Sequence, residues 1–184
     1  MLKVSGEALA GPAHRGLDFD VIGNVCDAIK QCVDMGVQVG LMVGAGNFWR
    51  GVKDGADKMQ RSHADAMGML GTVMNSIAVA DALEQHGVEA RVLSAVEMHK
   101  FCEYFTRDTA NRYLNEGKVV IFAAGTGNPY FTTDTAAALR ANGLEVYQVL
   151  KDNDAYTAMK PIDCLIFTGP TGTNVNDVAV ALLK

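Results

Sequence analysis

Three junctions in this chain combine residues able to do chemistry on an anion. The first is Gly44-Ala45-Gly46-Asn47-Phe48-Trp49-Arg50-Gly51, directly after an apolar run. Small residues at 44 to 46 let backbone N–H groups approach a charged ligand, and Arg50 offers a fixed fork of donors matched to phosphate oxygens. It is not the dinucleotide fingerprint, because Asn-Phe-Trp-Arg separates Gly46 from the next glycine. The plainer alternative is a tight turn with an exposed arginine. The second junction is Gly125-Thr126-Gly127-Asn128-Pro129-Tyr130-Phe131-Thr132-Thr133-Asp134. Hydroxyls, an amide and backbone donors converge there on a helix start, which suits an anion or a sugar. The alternative is a capped loop whose threonines satisfy orphan N–H groups. The third is Lys3-Val4-Ser5-Gly6-Glu7-Ala8-Leu9, where a lysine at a strand end can place a point charge on a phosphate. No G-x-x-x-x-G-K-[ST] motif accompanies it. Asp65 stands near a helix start, where interaction with the helix dipole is the plainer account. Trp49 and the histidines His14, His63, His86 and His99 form no constellation with a Ser or Cys nucleophile, which argues against a hydrolytic triad.

The elements that must position these junctions alternate. Runs at 37–43, 90–93, 119–124 and 164–167 have strand length and are mostly too apolar for one-sided exposure, so they read as buried parallel strands. A very short strand precedes them at the N-terminus. Helical spacing covers about Asp20 to Met35, with Val21, Val25, Ile29, Cys32 and Val33 on one face and Gly36 closing the helix. A second helix is expected from about Ser62 to His86, its Met67, Leu70, Met74, Ile77, Ala78 and Leu83 keeping helical spacing. A third covers about Val96 to Asn115, and a fourth starts near Thr132 or Thr133, where a threonine can cap it. Strand alternating with helix predicts an α/β fold with a mainly parallel sheet, in which ligands bind beyond the strands' carboxyl ends.

Composition narrows the function classes. With 16 Lys and Arg against 21 Asp and Glu the formal net charge is −5, and the basic residues are scattered, which argues against nucleic-acid binding. Any anionic substrate must therefore meet a local site. Glycine contributes 19 of 184 residues, above the usual ~7%, and the excess sits in specific turns, as expected where backbone approaches a ligand. Cys26, Cys32, Cys102 and Cys164 show no CxxC pairing, so neither a zinc site nor a disulfide framework is expected and a reducing compartment is. No uninterrupted apolar run of 18 residues and no basic-then-apolar leader is present, so neither a membrane span nor a signal peptide is expected.

In order and spacing, Lys3 to Leu9, Val43 to Gly51, Asp65-Ala66-Met67-Gly68-Met69-Leu70 and Ala123 to Thr135 resemble the signatures of bacterial uridylate (UMP) kinases of the amino-acid kinase superfamily. The similarity covers about residues 2–141. It implies a three-layer α/β/α fold of the carbamate kinase type, incomplete in its C-terminal half. The implied reaction moves the γ-phosphoryl group of ATP, bound with Mg2+, to UMP and gives UDP, a phosphotransferase step of pyrimidine biosynthesis with a phosphate as acceptor. The implied setting is a cytoplasmic homohexamer activated by GTP and inhibited by UTP. On this resemblance Lys3, Val4, Ser5, Gly6, Gly46 and Arg50 meet ATP, with Lys3 and Arg50 catalytic. Ala45 lies beside the UMP phosphate, Asp65 accepts hydrogen bonds from the UMP ribose, and Thr126, Gly127, Asn128, Pro129, Tyr130, Phe131, Thr132 and Thr133 form the UMP loop. No protein-held metal is implied. Two departures stand out: Ala45 replaces a common glycine, and His14-Arg15-Gly16 replaces a Gly-Phe-Gly in the loop associated with guanine nucleotides. Alanine at 45 is tolerated if its φ is negative and clashes if it is positive.

Beyond Ala141 the uridylate kinase pattern stops, and the Lys-x-Asp-Gly-Val-Tyr turn for adenine and ribose does not occur. Gly143-Leu144, Leu150 to Thr157 and Phe167 to Asp177 instead resemble the C-terminal end of MOFRL-domain glycerate kinases. The expected organisation is a UMP kinase-like, acceptor-binding portion at 1–141 and a foreign tail at 142–184. Two other readings stand beside it, a glycerate-type small-molecule kinase and a non-catalytic remnant that assembles through the second helix.

Overall fold

The computed structural model describes residues 1–50, 54–55 and 58–141. The expectations for 142–184, including the strand at 164–167, Cys164 and the glycerate kinase-like turn, lie outside the described residues.

Among the described residues, five parallel strands form one sheet in the order β1-β2-β5-β3-β4. They are β1 (Leu2–Val4), β2 (Gly40–Val43), β3 (Ala90–Ser94), β4 (Glu103–Tyr104) and β5 (Val119–Ala123). Strand β5 lies at the centre and pairs with β2 through Leu41↔Ile121 and with β3 through Val92↔Ile121. All five β5 residues are buried, as a strand covered on both faces must be. Their side chains alternate between two cores. Val119 and Ile121 pack with Leu41, Val43, Val79 and Leu83 on one face, while Val120 and Phe122 pack with Met42, Leu93, Ala110 and Ala136 on the other. Helices α2 (Phe19–Asp34) and α3 (Arg61–Gln85) cover the first face; α4 (Arg107–Asn115) and α5 (Thr133–Ala141) cover the second. The expected three-layer α/β/α arrangement with a parallel sheet is therefore what the chain adopts. A four-residue α1 (Gly6–Leu9) and a 3-10 turn (Gly11–Ala13) link β1 to α2.

Local chemistry sets the boundaries. The Asp18 carboxylate accepts from the N–H groups of Asp20 and Val21 at 3.1 and 3.2 Å, which starts α2, and Gly36 at φ +80° ends it. The buried row of α2 is Ile22, Cys26 and Ile29, with Val25, Cys32 and Val33 at its margin. The row through Val21 is thus displaced by one residue, because two adjacent rows of this helix are apolar and periodicity does not choose between them. Burial among these side chains raises the Cys26 thiol to about 11.

Two expected elements differ from the structure. Strand β2 starts at Gly40 rather than residue 37, since Val37 is exposed and the Gln38 side chain is turned to the Leu114 carbonyl at 3.2 Å. The helix expected over 96–115 is broken. Ser94 Oγ accepts from Val96 N–H, Phe101 and Cys102 bond back to the Met98 carbonyl, and Glu103-Tyr104 joins β3 as an edge strand. Only then does Thr106 cap α4 by accepting from Thr109 N–H at 3.1 Å. Beyond the edge strand, Phe105 meets Phe122 edge-on at 5.6 Å, a contact with the central strand that accompanies the break.

Helix α3 keeps the expected helical spacing but divides its apolar residues between two faces. Met67, Leu70, Met74 and Ile77 are 40–51% exposed, whereas Gly71, Thr72, Asn75 and Ser76 are buried along with Val79 and Leu83. By length and composition α3 could cross a membrane, yet it packs along the sheet against β2, β3 and β5.

Because Ile121 sits at the middle of the central strand with no exposed surface, Ile121→Ala should cost about 2–5 kcal/mol in urea unfolding. Val37→Ala, on the exposed lead-in to β2, should stay within about 0.5 kcal/mol of the parent chain.

Candidate active site

The carboxyl ends of β1, β2 and β5 converge, and each feeds one of the three junctions. Where β1 leaves the sheet, Ser5 caps α1 by accepting from Ala8 N–H at 3.1 Å, so its hydroxyl is used locally. The Val4 side chain packs at the edge of the first core, and its carbonyl accepts from Gly44 N–H at 2.8 Å. Gly6 then lies against the glycine turn after β2: a Cβ there would come within 2.6 Å of Gly46 N and 2.9 Å of the Ala45 carbonyl carbon. No other residue allows backbone to approach backbone so closely. Ala45 is not among the residues with positive φ, so the methyl group introduces no backbone strain.

Both candidate cations are held by carboxylates. Lys3 is only 8% exposed, and its ammonium lies 2.7 Å from Asp134 at the start of α5. Arg50, on the far side of the glycine turn, pairs with Glu7 of α1. A buried lysine without such a partner would be costly. Asp134 and Glu7 thus set where the two positive charges stand.

The third junction begins with strain. Ala124 and Gly125 take φ +60° and +56°, and Gly127 and Tyr130 are also left-handed. Gly127 is required, since a Cβ would sit 2.9 Å from the Ala95 carbonyl oxygen. Thr126 and Asn128 bond each other's backbone at 3.2 Å, and Thr132 accepts from Thr135 N–H at 3.1 Å and caps α5. The capping account therefore holds for Thr132. Thr126, Asn128, Phe131 and Thr133 instead line an open cleft, together with Ala45 and Asp65. Pro129 and Tyr130 do not line it, and Tyr130 is largely exposed. Asp65 does more than meet the α3 dipole: its carboxylate accepts from Tyr130 N–H at 2.8 Å and from Arg61 Nε at 2.8 and 2.9 Å. That bond ties the loop to α3.

One turn of α3 reaches both loops. Asn75 donates to the Gly44 carbonyl at 2.6 Å and exchanges side-chain bonds with Asn47 at 2.7 and 3.0 Å. Thr72 accepts from Ala124 N–H at 2.8 Å. Gly71 leaves room for Ala45, whose methyl would lie 2.9 Å from any Cβ at 71. Among the described residues no three His, Cys, Asp or Glu side chains come together as a metal site.

A family model for the amino acid kinases matches residues 1–156. The chain belongs to the amino acid kinase family. Among solved structures it is similar to the UMP kinase from Ureaplasma parvum, at 36% identity and a TM-score of 0.71 over 76% of this chain and 61% of that one. It is also similar to the UMP kinase from Bacillus anthracis, at 32% identity and a TM-score of 0.72, over 76% of this chain and 57% of that one. The chain thus spans roughly three-fifths of the length of these two amino acid kinase family members.

Sequence reading overlooked Glu7, Asn47, Thr72, Asn75 and Asp134. A signal for two of them existed, since asparagine and threonine are poor helix formers and their place in the middle of a 25-residue helix asks for a reason. The Gly71–Ala45 contact yields a test by double-mutant cycle. Gly71→Ala should destabilise the chain by about 1–3 kcal/mol in urea unfolding, and Ala45→Gly in the same background should recover most of that loss.

Proposed function

We propose that this chain carries the phosphate-acceptor site of a UMP-type kinase and transfers the γ-phosphoryl group of ATP to UMP, giving UDP and ADP. The observation that carries the reading is the cleft lined by Ala45, Asp65, Thr126 and Thr133, two of whose chain neighbours are in contact with the paired cations: Gly46, which Arg50 lies against, and Asp134, which holds Lys3. Identity of 32–36% to two UMP kinases supports the choice of acceptor.

Phosphoryl transfer asks a protein for position and charge rather than for a nucleophile. The UMP phosphate supplies the attacking oxygen, and with a second pKa near 6 it is already ionised at neutral pH and needs no general base. The new bond joins that oxygen to the γ-phosphorus; the bond to the β-phosphate bridging oxygen breaks, and its electrons leave with ADP. In this reading Gly46 and Ser5-Gly6 offer backbone N–H groups to the phosphates, and Val4 holds the turn by its carbonyl. Lys3 and Arg50 offset the charge that spreads over the equatorial oxygens, each exchanging its carboxylate partner for phosphate oxygens. Asp65 accepts from the ribose hydroxyls; in the loop from Thr126 to Thr133, Thr126, Asn128, Phe131 and Thr133 face UMP, while Gly127, Pro129, Tyr130 and Thr132 shape the loop that presents them. Mg2+ enters with ATP, held by phosphate oxygens, as its preference for oxygen ligands and retained waters allows.

The same reading places the enzyme in the cytoplasm, in pyrimidine biosynthesis, as a homo-oligomer of the hexameric kind. The exposed row Met67, Leu70, Met74 and Ile77 on α3 supports assembly, since spacing of three and four puts these side chains on one stripe. GTP and UTP are proposed effectors. Gly16, in the altered His14-Arg15-Gly16 loop, exchanges two hydrogen bonds with Asn47 of the glycine turn, at 3.1 and 2.7 Å, which supplies a physical link from that loop to the site.

A thermal-shift series over UMP, ATP-Mg, GTP and glycerate, followed by calorimetry and a coupled ADP-release assay, tests the proposal. UMP should raise the melting temperature, and Asp65→Asn should weaken UMP binding about tenfold. Stabilisation by glycerate and not by UMP would replace this reading with a glycerate-type kinase. An oligomer that no nucleotide stabilises would replace it with a non-catalytic remnant.

A further inference from the structure

The cleft depends on two consecutive left-handed residues, and one of them is not glycine. Ala124 at φ +60° carries a backbone cost of roughly 1–2 kcal/mol, and such strain persists only where the surroundings over-determine it. Two side chains from different elements do so. From α3, buried Thr72 accepts the Ala124 N–H at 2.8 Å, while its own proton goes to the Met69 carbonyl at 2.6 Å, which fixes the direction of the lone pair. From the far end of α5, Arg140 reaches back fifteen residues and donates from Nη2 to the Gly125 carbonyl at 2.9 Å. The Arg140 guanidinium lies 3.9 Å from the Phe105 ring centroid and 5.1 Å from that of Phe122, so it is held by two aromatic faces. Its Nε is buried with no hydrogen-bond partner among the described residues. Burial lowers its pKa to about 10, still well above neutral, so the charge is kept. A charged group buried with one donor unsatisfied is expensive, and the bond to Gly125 is what it achieves there.

We propose that Thr72 and Arg140 are positioning residues, a two-point clamp on the Ala124–Gly125 turn that sets where Thr126, Asn128 and Thr133 stand for the acceptor. This rests on the acceptor-site reading of the cleft. Thr72 holds the amide that enters the turn and Arg140 holds the carbonyl that leaves it. The clamp therefore fixes the two peptide planes that flank the strained pair, Arg140 from outside the cleft and Thr72 from its lining, with the Thr72 hydroxyl already engaged by Ala124 and Met69.

Amide hydrogen exchange by NMR on the full chain, alongside UMP titration, tests this. Thr72→Val, which keeps the shape and removes the hydroxyl, should speed exchange at Ala124 and Gly127 about tenfold, leave Val120 to Phe122 unchanged, and weaken UMP binding by a similar factor. Thr72→Ser should restore both. Arg140→Met, which keeps the stem between the rings, should loosen Gly127 in the same way and decides the matter if Thr72→Val does not fold. Exchange at Ala124 and Gly127 that stays at the parent rate, or a serine variant no better than valine, would overturn the clamp. A parent chain that binds no UMP would overturn the acceptor assignment alone, because the exchange rates still report on the clamp.

Discussion

A single turn of α3, Gly71 to Asn75, is the contact on which the site depends. The helix lies flat on the sheet, and at this turn it has no large side chain to keep the loops away. Gly71 admits Ala45, Asn75 takes the Gly44 carbonyl, and Thr72 takes the Ala124 amide. The turn after β2 and the turn after β5 are thus measured from the same 5 Å of helix, about one pitch. A hydrophobic face would have packed as well against the strands but would have left those backbone groups buried without partners, at roughly 1–3 kcal/mol each. The polar residues are buried because the loops need them, and they share the buried face with Val73, Val79 and Leu83 while Met67, Leu70, Met74 and Ile77 lie outside.

Charge is arranged on the same principle. Lys3 and Arg50 each lie within reach of the glycine turn, but neither stands alone, because Asp134 and Glu7 hold them from α5 and α1. Asp134 is about half exposed while the Lys3 ammonium is nearly covered. The carboxylate is therefore the partner that water can take over when an anion with more charge arrives. Because Asp134 belongs to the helix that follows the loop after β5, Lys3 also pins β1 to that helix.

Much of this architecture can be read in the residues themselves. The alternation of strand and helix, the parallel sheet and the three junctions follow from apolar runs of strand length and from where the glycines fall. The junction at 96–106 is different: its residues keep helical spacing, yet it runs as a turn into an edge strand whose partners, Leu93 and Ser94, and the Phe122 ring that Phe105 meets, lie elsewhere in the chain. The faces of α2 and α3 are illegible for another reason. Helical period identifies rows, not which row meets the sheet, and in α3 the buried face mixes Val73, Val79 and Leu83 with Thr72 and Asn75, whose partners are backbone groups far along the chain. Asp65 shows the same limit, since its dipole account is local while Tyr130, whose amide it binds, is 65 residues away.

Strain and satisfaction together explain the shape of the loop after β5. Thr126 with Asn128, and Thr132 with Thr135, answer one another's polar groups, so the loop does not depend on a ligand for its hydrogen bonds. The four left-handed residues at 124, 125, 127 and 130 would make a free loop of this sequence wander, and three anchors prevent it: Thr72 at its start, Arg140 at its second residue and Asp65 near its end. A loop held in this way has already lost the conformational entropy that an unstructured one would lose on binding, which leaves more of the contact energy for affinity. It also explains why Ala124 is tolerated where glycine would be easier. With the turn over-determined from two sides, the alanine methyl can fill buried space beside Val73 at a backbone cost that the anchors offset.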